Sequence, residues 1–274
     1  MLAELPERDA TGEIAGVYAE IRRLWAVPYV SSLQRHLATR PGWLEWSWAA
    51  LAPAFTGGRA QAAARRAADG LVVPRLASIS RDALVTWGLD AAAEDAVRAA
   101  CASFVRVAPI NLVFSGLLRR LLGGERPGGA PAPDTAWTPP PPLGALPPLV
   151  DAATLPPAAR ALLASLGTAL GDEPFVPGLY RMLAAWPGLL AHVATVLHPL
   201  MEDGATLASC RRLLAAVDAE VGPMFALLPP PPEAPPRPAA DNVPAVLAAL
   251  DTYRKTSPEM VVFGRMLGDA LPRP

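Results

Sequence analysis

The sequence predicts an all-α protein made of two tandem, similar helical repeats that pack as a pseudo-dimer with a cleft between them. Apolar residues recur at i, i+3, i+4 and i+7 along most of the chain, the period of helices with one buried face. Alternating apolar runs that would mark strands are absent; LVVP at 71–74 is too brief. Two distant stretches, LWAVPYVSSLQRHLATRPGWL (24–44) and LGDEPFVPGLYRMLAAWPGLL (170–190), agree at ten of twenty-one positions without a gap.

In chain order, EIAGVYAEIRRLW sets Ile14, Val17, Tyr18, Ile21, Leu24 and Trp25 on one helical face. The first copy of the repeated element follows, continuing as RHLATRPGWLEWSWAALAP. AEDAVRAACASFVRV is a further amphipathic helix and leads into FVRVAPINLVFSGLL at 104–118. After a Pro/Gly-rich stretch at 123–150, ARALLASLGTAL places Leu162, Leu163, Leu166 and Leu170 at helical spacing. The second copy then reads RMLAAWPGLLAHVATVLHP, with its most apolar helix expected near 189–201. VPAVLAALDTYRKT and YRKTSPEMVVFGRML (253–267) complete the pattern.

The offset between the copies is 146 over the first element and 149 over the last, where Pro109/Pro258, Val113/Val262, Phe114/Phe263 and Leu118/Leu267 coincide. A solenoid would repeat at roughly 20–50 residues, so one long duplication explains the pattern better. The expected organisation is repeat 1 over 1–122, a linker over 123–150 and repeat 2 over 151–274, with a Pro-rich loop at 227–244. Many of the 33 prolines fall in these two loops, where they favour extended spacers over helix.

Composition narrows the function. With 24 basic and 25 acidic residues the chain has no bias toward nucleic acid or anionic membrane surfaces. The start MLAELPERDATGE lacks a basic region followed by an apolar one, and no uncharged apolar run reaches membrane-spanning length. A cytoplasmic location is expected. Cys101 and Cys210 stand alone, and His36, His192 and His198 form no ligand cluster, so no metal or cofactor is expected. Phosphate-binding, zinc-protease and nucleophile-elbow motifs are missing.

The lead lies where the two copies disagree. Ala26 faces Asp172, and Asn111 faces Met260. A carboxylate and an amide in otherwise apolar frames make a plausible water-holding pair, the carboxylate taking a proton and the amide fixing the oxygen. Two ordinary readings compete. Asp172, before Glu173-Pro174, has the pattern of a helix N-cap, and Asn111 could satisfy a backbone carbonyl.

The element xP[FY]V…R.LA..PG.L, present as VPYVSSLQRHLATRPGWL and EPFVPGLYRMLAAWPGLL, resembles the group I 2-haloacid dehalogenases, the DehI-type family. That resemblance implies an all-helical, two-repeat fold with the site between the repeats, and hydrolysis of 2-haloalkanoic acids to 2-hydroxy acids. It further implies direct attack by an Asp-activated water with inversion, without a covalent ester. Carried over, the catalytic residues are Asp172 and Asn111. The substrate-binding positions are Trp25, Tyr29, Gly171, Phe175 and Tyr253. Gly171 stands where the resemblance leads one to expect a hydroxyl-bearing residue. The implied partner is a small 2-halocarboxylate, with neither nucleic acid nor membrane, and a homodimer is compatible. Two alternatives stay open: a same-fold enzyme acting on another small carboxylic acid, and a non-enzymatic helical binding protein.

Overall fold

Helix α1 (Gly12–Trp25) turns Val17, Tyr18, Ile21, Leu24 and Trp25 into the core and ends at Ala26, whose left-handed backbone (φ 54°) stops the helix. The computed structural model describes residues 3–130, 137–144, 146–170 and 173–273, with the backbone alone for Leu170 and Glu173. Short helix α2 (Ser32–Leu37) follows, then α3 (Trp43–Thr56) and α4 (Arg59–Asp69). Helix α5 (Arg81–Thr86) is capped by Ser80, whose hydroxyl accepts from the Ala83 N–H at 3.1 Å.

The centre of the molecule is a pair of long helices, α6 (Ala91–Leu122) and α11 (Val243–Ala270). Gly264 lets them approach, since a Cβ there would lie 3.2 Å from the Cys101 carbonyl oxygen and 3.3 Å from Val105. Gly116 lies against Arg254 in the same way. Contacts pairing 101 with 264 and 116 with 254 run antiparallel, so the helices cross between them, near Pro109 and Pro258. Each proline sits inside its helix and removes one backbone donor. By length and hydropathy α6 alone among the described helices could cross a bilayer, but 83% of that window is buried against the rest of the protein. It is a core helix.

The remaining elements are α7 (Pro157–Ser165), strands β1 (Thr168–Leu170) and β2 (Glu173–Phe175), α8 (Gly178–Leu183), α9 (Pro187–His192) and α10 (Gly204–Ala226). The chain is thus mainly helical, with one antiparallel ladder that pairs Thr168 with Phe175.

The structure corrects three local expectations. The helix expected through Leu170 stops at Ser165: Gly167 lies under the Ala164 and Phe175 carbonyl oxygens, at 3.1 and 3.2 Å from a built Cβ, and the ladder begins there. The single helix expected near 189–201 is broken into α9, a π-helical turn (Val193–Leu197) and a 3-10 turn (His198–Glu202), with Pro199 in the last. The helix after Glu173-Pro174 starts only at Gly178, with Pro177 in the cap position, so Asp172 does not precede a helix start at Pro174.

Described parts of the first Pro-rich stretch touch the rest of the protein. Trp137 lies over Gly58, the Pro141 carbonyl accepts from Arg106 at 3.0 Å, and the Gly129 N–H donates to the Leu228 carbonyl at 2.9 Å.

Candidate active site

Beside the α6–α11 crossing lies a cavity of about 50 Å³, walled by α2, α6, α8, α11, Tyr29 and the end of β2. One water needs roughly 10–15 Å³ of such space, so it holds a few waters or a very small organic acid. The wall is built in matched positions. Tyr29/Phe175, Ser31/Pro177 and Ser32/Gly178 are 146 residues apart; Phe104/Tyr253, Val107/Thr256, Ala108/Ser257 and Asn111/Met260 are 149 apart. All fourteen line it.

The aromatic walls repeat too. Tyr29 packs on Phe104 at 5.9 Å between centroids, and Phe175 meets Tyr253 edge-on at 5.2 Å. The hydroxyl falls on the first member of one pair and the second member of the other. Burial pushes both phenols well above their ordinary range, so they stay neutral O–H groups. Arg35, nearby, opposes that rise in both.

Polarity is not matched. Ser31, Ser32 and Asn111 oppose Pro177, Gly178 and Met260, while Thr256 and Ser257 oppose Val107 and Ala108. Asn111 is 5% exposed, and its Nδ2 donates to Ser31 Oγ at 2.7 Å. Ser31 stands at the N-cap of α2, yet its side chain caps no helix N–H. Its hydroxyl accepts the Asn111 amide. That bond fixes the amide and leaves Asn111 Oδ1 buried, with no partner among the described residues. Gln34 and Gln61 also carry a buried amide oxygen without a partner among the described residues, but of the three only Asn111 lies on the wall of this cavity. There its Oδ1 suits holding the proton of a small polar guest, and it argues against Asn111 as a mere carbonyl satisfier.

Four of the residues singled out in the sequence therefore converge: Asn111, Tyr29, Phe175 and Tyr253. Trp25 does not join them. It is 1% exposed, packs on Phe55 at 5.9 Å, and borders a different cavity of about 530 Å³ with Gln61 and Arg106. Its place at the C-terminus of α1 points it into the core beside Phe55. Gly171 and Asp172 lie outside the described residues; Phe175, three positions on in sequence, lines the cavity. The sequence reading missed Ser31, Arg35, Thr256 and Ser257. Ser31 and Ser32 sit inside the repeated element, opposite Pro177 and Gly178, and the same mismatch test would have found them.

Arg35 is the one charged side chain among the described lining residues. Among the described residues no three His, Cys, Asp or Glu side chains converge as a metal ligand set. His192 stacks on Trp87 at 4.4 Å, and His198 meets the Tyr180 ring edge-on at 6.0 Å.

No family model matches the chain. One relative, the (R)-2-haloacid dehalogenase of Pseudomonas putida, is 33% identical over 94 residues, which is 32% of this chain and 31% of that protein. The chain thus matches about a third of that relative's length. Solved structures are similar over nearly everything. A D-2-haloacid dehalogenase in complex with L-LA has a TM-score of 0.72 at 18% identity, covering 98% of this chain and 96% of its own. A mutant D-2-haloacid dehalogenase with D-2-CPA gives 0.71 at 18% identity, covering 97% and 96%. The chain has the fold of the D-2-haloacid dehalogenases and, over one stretch, recognisable sequence similarity to an (R)-2-haloacid dehalogenase.

Proposed function

We propose that this protein is a cofactor-independent hydrolase of carbon–halide bonds that converts small 2-haloalkanoic acids to 2-hydroxy acids. The observation that carries the reading is the Asn111 amide, locked by Ser31 in a small aromatic-walled cavity with its oxygen unpaired. The shared fold and the similar stretch support the same chemistry, as does the fact that similar structures hold D-2-CPA and L-LA.

In the proposed step a water held by Asn111 Oδ1 attacks the α-carbon. The new C–O bond forms as the carbon–halogen bond breaks, the halide leaves with the bonding pair, and Asp172 takes the water's proton. Attack opposite the leaving group inverts the carbon. The rings of Tyr29, Phe104, Phe175 and Tyr253 line the cavity, and the partial positive charge of an aromatic edge suits a departing halide. Asp172 enters on sequence grounds, as the carboxylate that breaks the match with Ala26. The fourteen lining positions at offsets 146 and 149 support an internal duplication with repeats over 1–122 and 151–274. Burial of α6 supports a soluble protein, which we read as cytoplasmic.

The test is chloride release from racemic 2-chloropropionate, with the configuration of the product determined for each enantiomer. The intact protein should release chloride with inversion, and Asp172→Asn should release almost none. Silence from the intact protein, or unchanged release from the variant, would refute the reading.

A further inference from the structure

Next to the cavity the chain forms a vestibule of about 440 Å³, and Arg35 and Leu149 line both spaces. Across it stands Arg181, 146 positions after Arg35 and on the matching helix α8. Both guanidinium groups converge on a single carboxylate, Glu4: Arg35 Nη2 lies 2.5 Å from Oε2 and Arg181 Nη1 lies 3.7 Å from Oε1. The three side chains are only 13–16% exposed. Glu4 is not a loose counter-ion. The Leu5 N–H donates to the Arg35 carbonyl at 3.0 Å, His36 Nδ1 contacts the Ala3 carbonyl at 2.9 Å, and the Tyr18 hydroxyl donates to the Leu5 carbonyl at 3.1 Å.

The charges do not cancel. The other acid of the vestibule, Glu7, is paired with Arg22 and accepts the Val30 N–H; the other base, Arg8, stands 3.7 Å from Asp9. That leaves two guanidinium groups for one carboxylate. Their donors are also in surplus, because the Nε–H of Arg35 and of Arg181 are both buried without a partner among the described residues. Two planar donors bridged by one carboxylate leave the place of one further monoanion, and guanidinium geometry favours a carboxylate, which it can grip through two oxygens.

We propose that Arg35 and Arg181, joined by Glu4, form a port that binds a small monocarboxylate and hands it through Arg35 to the cavity. In the dehalogenase reading, on which its biological role rests, the port recognises the carboxylate end of the substrate. The binding itself does not depend on that reading.

The test uses propionate, which carries no halogen. In the intact protein at low, constant ionic strength, the arginine Nε–H resonances are followed by NMR during titration with sodium propionate and, separately, sodium bromide. Propionate should shift the signals assigned by their loss in Arg35→Gln and Arg181→Gln. Each of these variants should bind at least roughly tenfold more weakly. Arg35→Lys, which keeps the charge and serves if Arg35→Gln fails to fold, should also weaken binding by roughly tenfold. Arg66→Gln, on a surface pair with Glu220, should bind like the parent. If propionate shifts neither Nε–H, or Arg35→Lys and Arg181→Gln bind normally, the triad is only a staple between the N-terminal segment and two helices, and the proposal falls. Bromide binding as tightly as propionate would overturn the carboxylate assignment. A protein that binds propionate here yet releases no chloride loses the dehalogenase reading and keeps the port.

Discussion

Asn111→Leu separates a working amide from a structural one. The side chains are close in volume, and the neighbours Phe104, Val107 and Met260 are apolar. Losing the 2.7 Å bond to Ser31 costs about 1 kcal/mol, and leaving the Ser31 hydroxyl unpaired costs about 1 more. Against that, a buried leucine among these apolar neighbours gains about 1–2 kcal/mol of apolar transfer over the amide. The opposing effects nearly cancel, so stability should stay within about 1 kcal/mol of the parent, about 3 °C in Tm for a chain of this size. Activity should not be spared. A donor or acceptor fixed at the reacting centre is worth about 10²–10³ in rate, so kcat/KM for 2-chloropropionate should fall by that factor. Thermal melting and chloride titration on one preparation read both numbers. A Tm drop of more than about 8 °C with kcat/KM within about threefold of the parent would show that Asn111 is structural and the reasoning wrong.

Further outcomes test the surrounding physics. Gly178 lines the cavity, and a Cβ there would meet Phe104 at 3.1 Å and Leu149 at 3.6 Å. Gly178→Ala should therefore disfavour longer 2-haloacids against the shortest by roughly tenfold in kcat/KM, measured across a chain-length series. Burial pushes the Cys101 and Cys210 thiols up to about 12, so neither should react with a thiol reagent near pH 8 until the protein is unfolded. Burial also raises Glu259, with Lys255 opposing. The folded state then holds this proton more tightly than the unfolded one. Its contribution to stability is present at acid pH and is lost as pH rises from about 4.5 through the raised value. Glu259→Gln should therefore raise Tm near neutral pH and lose that advantage toward about pH 4, read by melts across the range.

The helices were legible because their apolar period is a direct consequence of one buried face, as in α1 and in the Pro109 and Pro258 helices. The local breaks were not. ARALLASLGTAL keeps helical spacing through Leu170, and that spacing does not show the close packing around Gly167 where the helix gives way to the β1–β2 ladder. The stretch after His192 is as apolar as a core helix, and its apolar spacing does not show the division into π and 3-10 turns, the second of which contains Pro199. At the site, comparing matched positions found Asn111 because a polar residue opposite Met260 is visible in the letters alone. Trp25 was drawn toward the cavity by its place in the repeated element, although the end of α1 aims it at Phe55. Arg35 and Arg181 are identical in the two copies, so a search for mismatches passes over them. Their meaning depends on Glu4, held against α2 by the Leu5 N–H bond to the Arg35 carbonyl and the His36 contact with the Ala3 carbonyl.

The central claim is that a water, held by the Asn111 amide and deprotonated by Asp172, attacks the substrate directly. A single turnover of 2-bromopropionate with excess protein in ¹⁸O-water tests it most directly. Direct attack predicts ¹⁸O in the first 2-hydroxy acid formed and none in the protein. Unlabelled product with ¹⁸O in the peptide carrying Asp172 would mean that the carboxylate itself is the nucleophile, and the account would be contradicted.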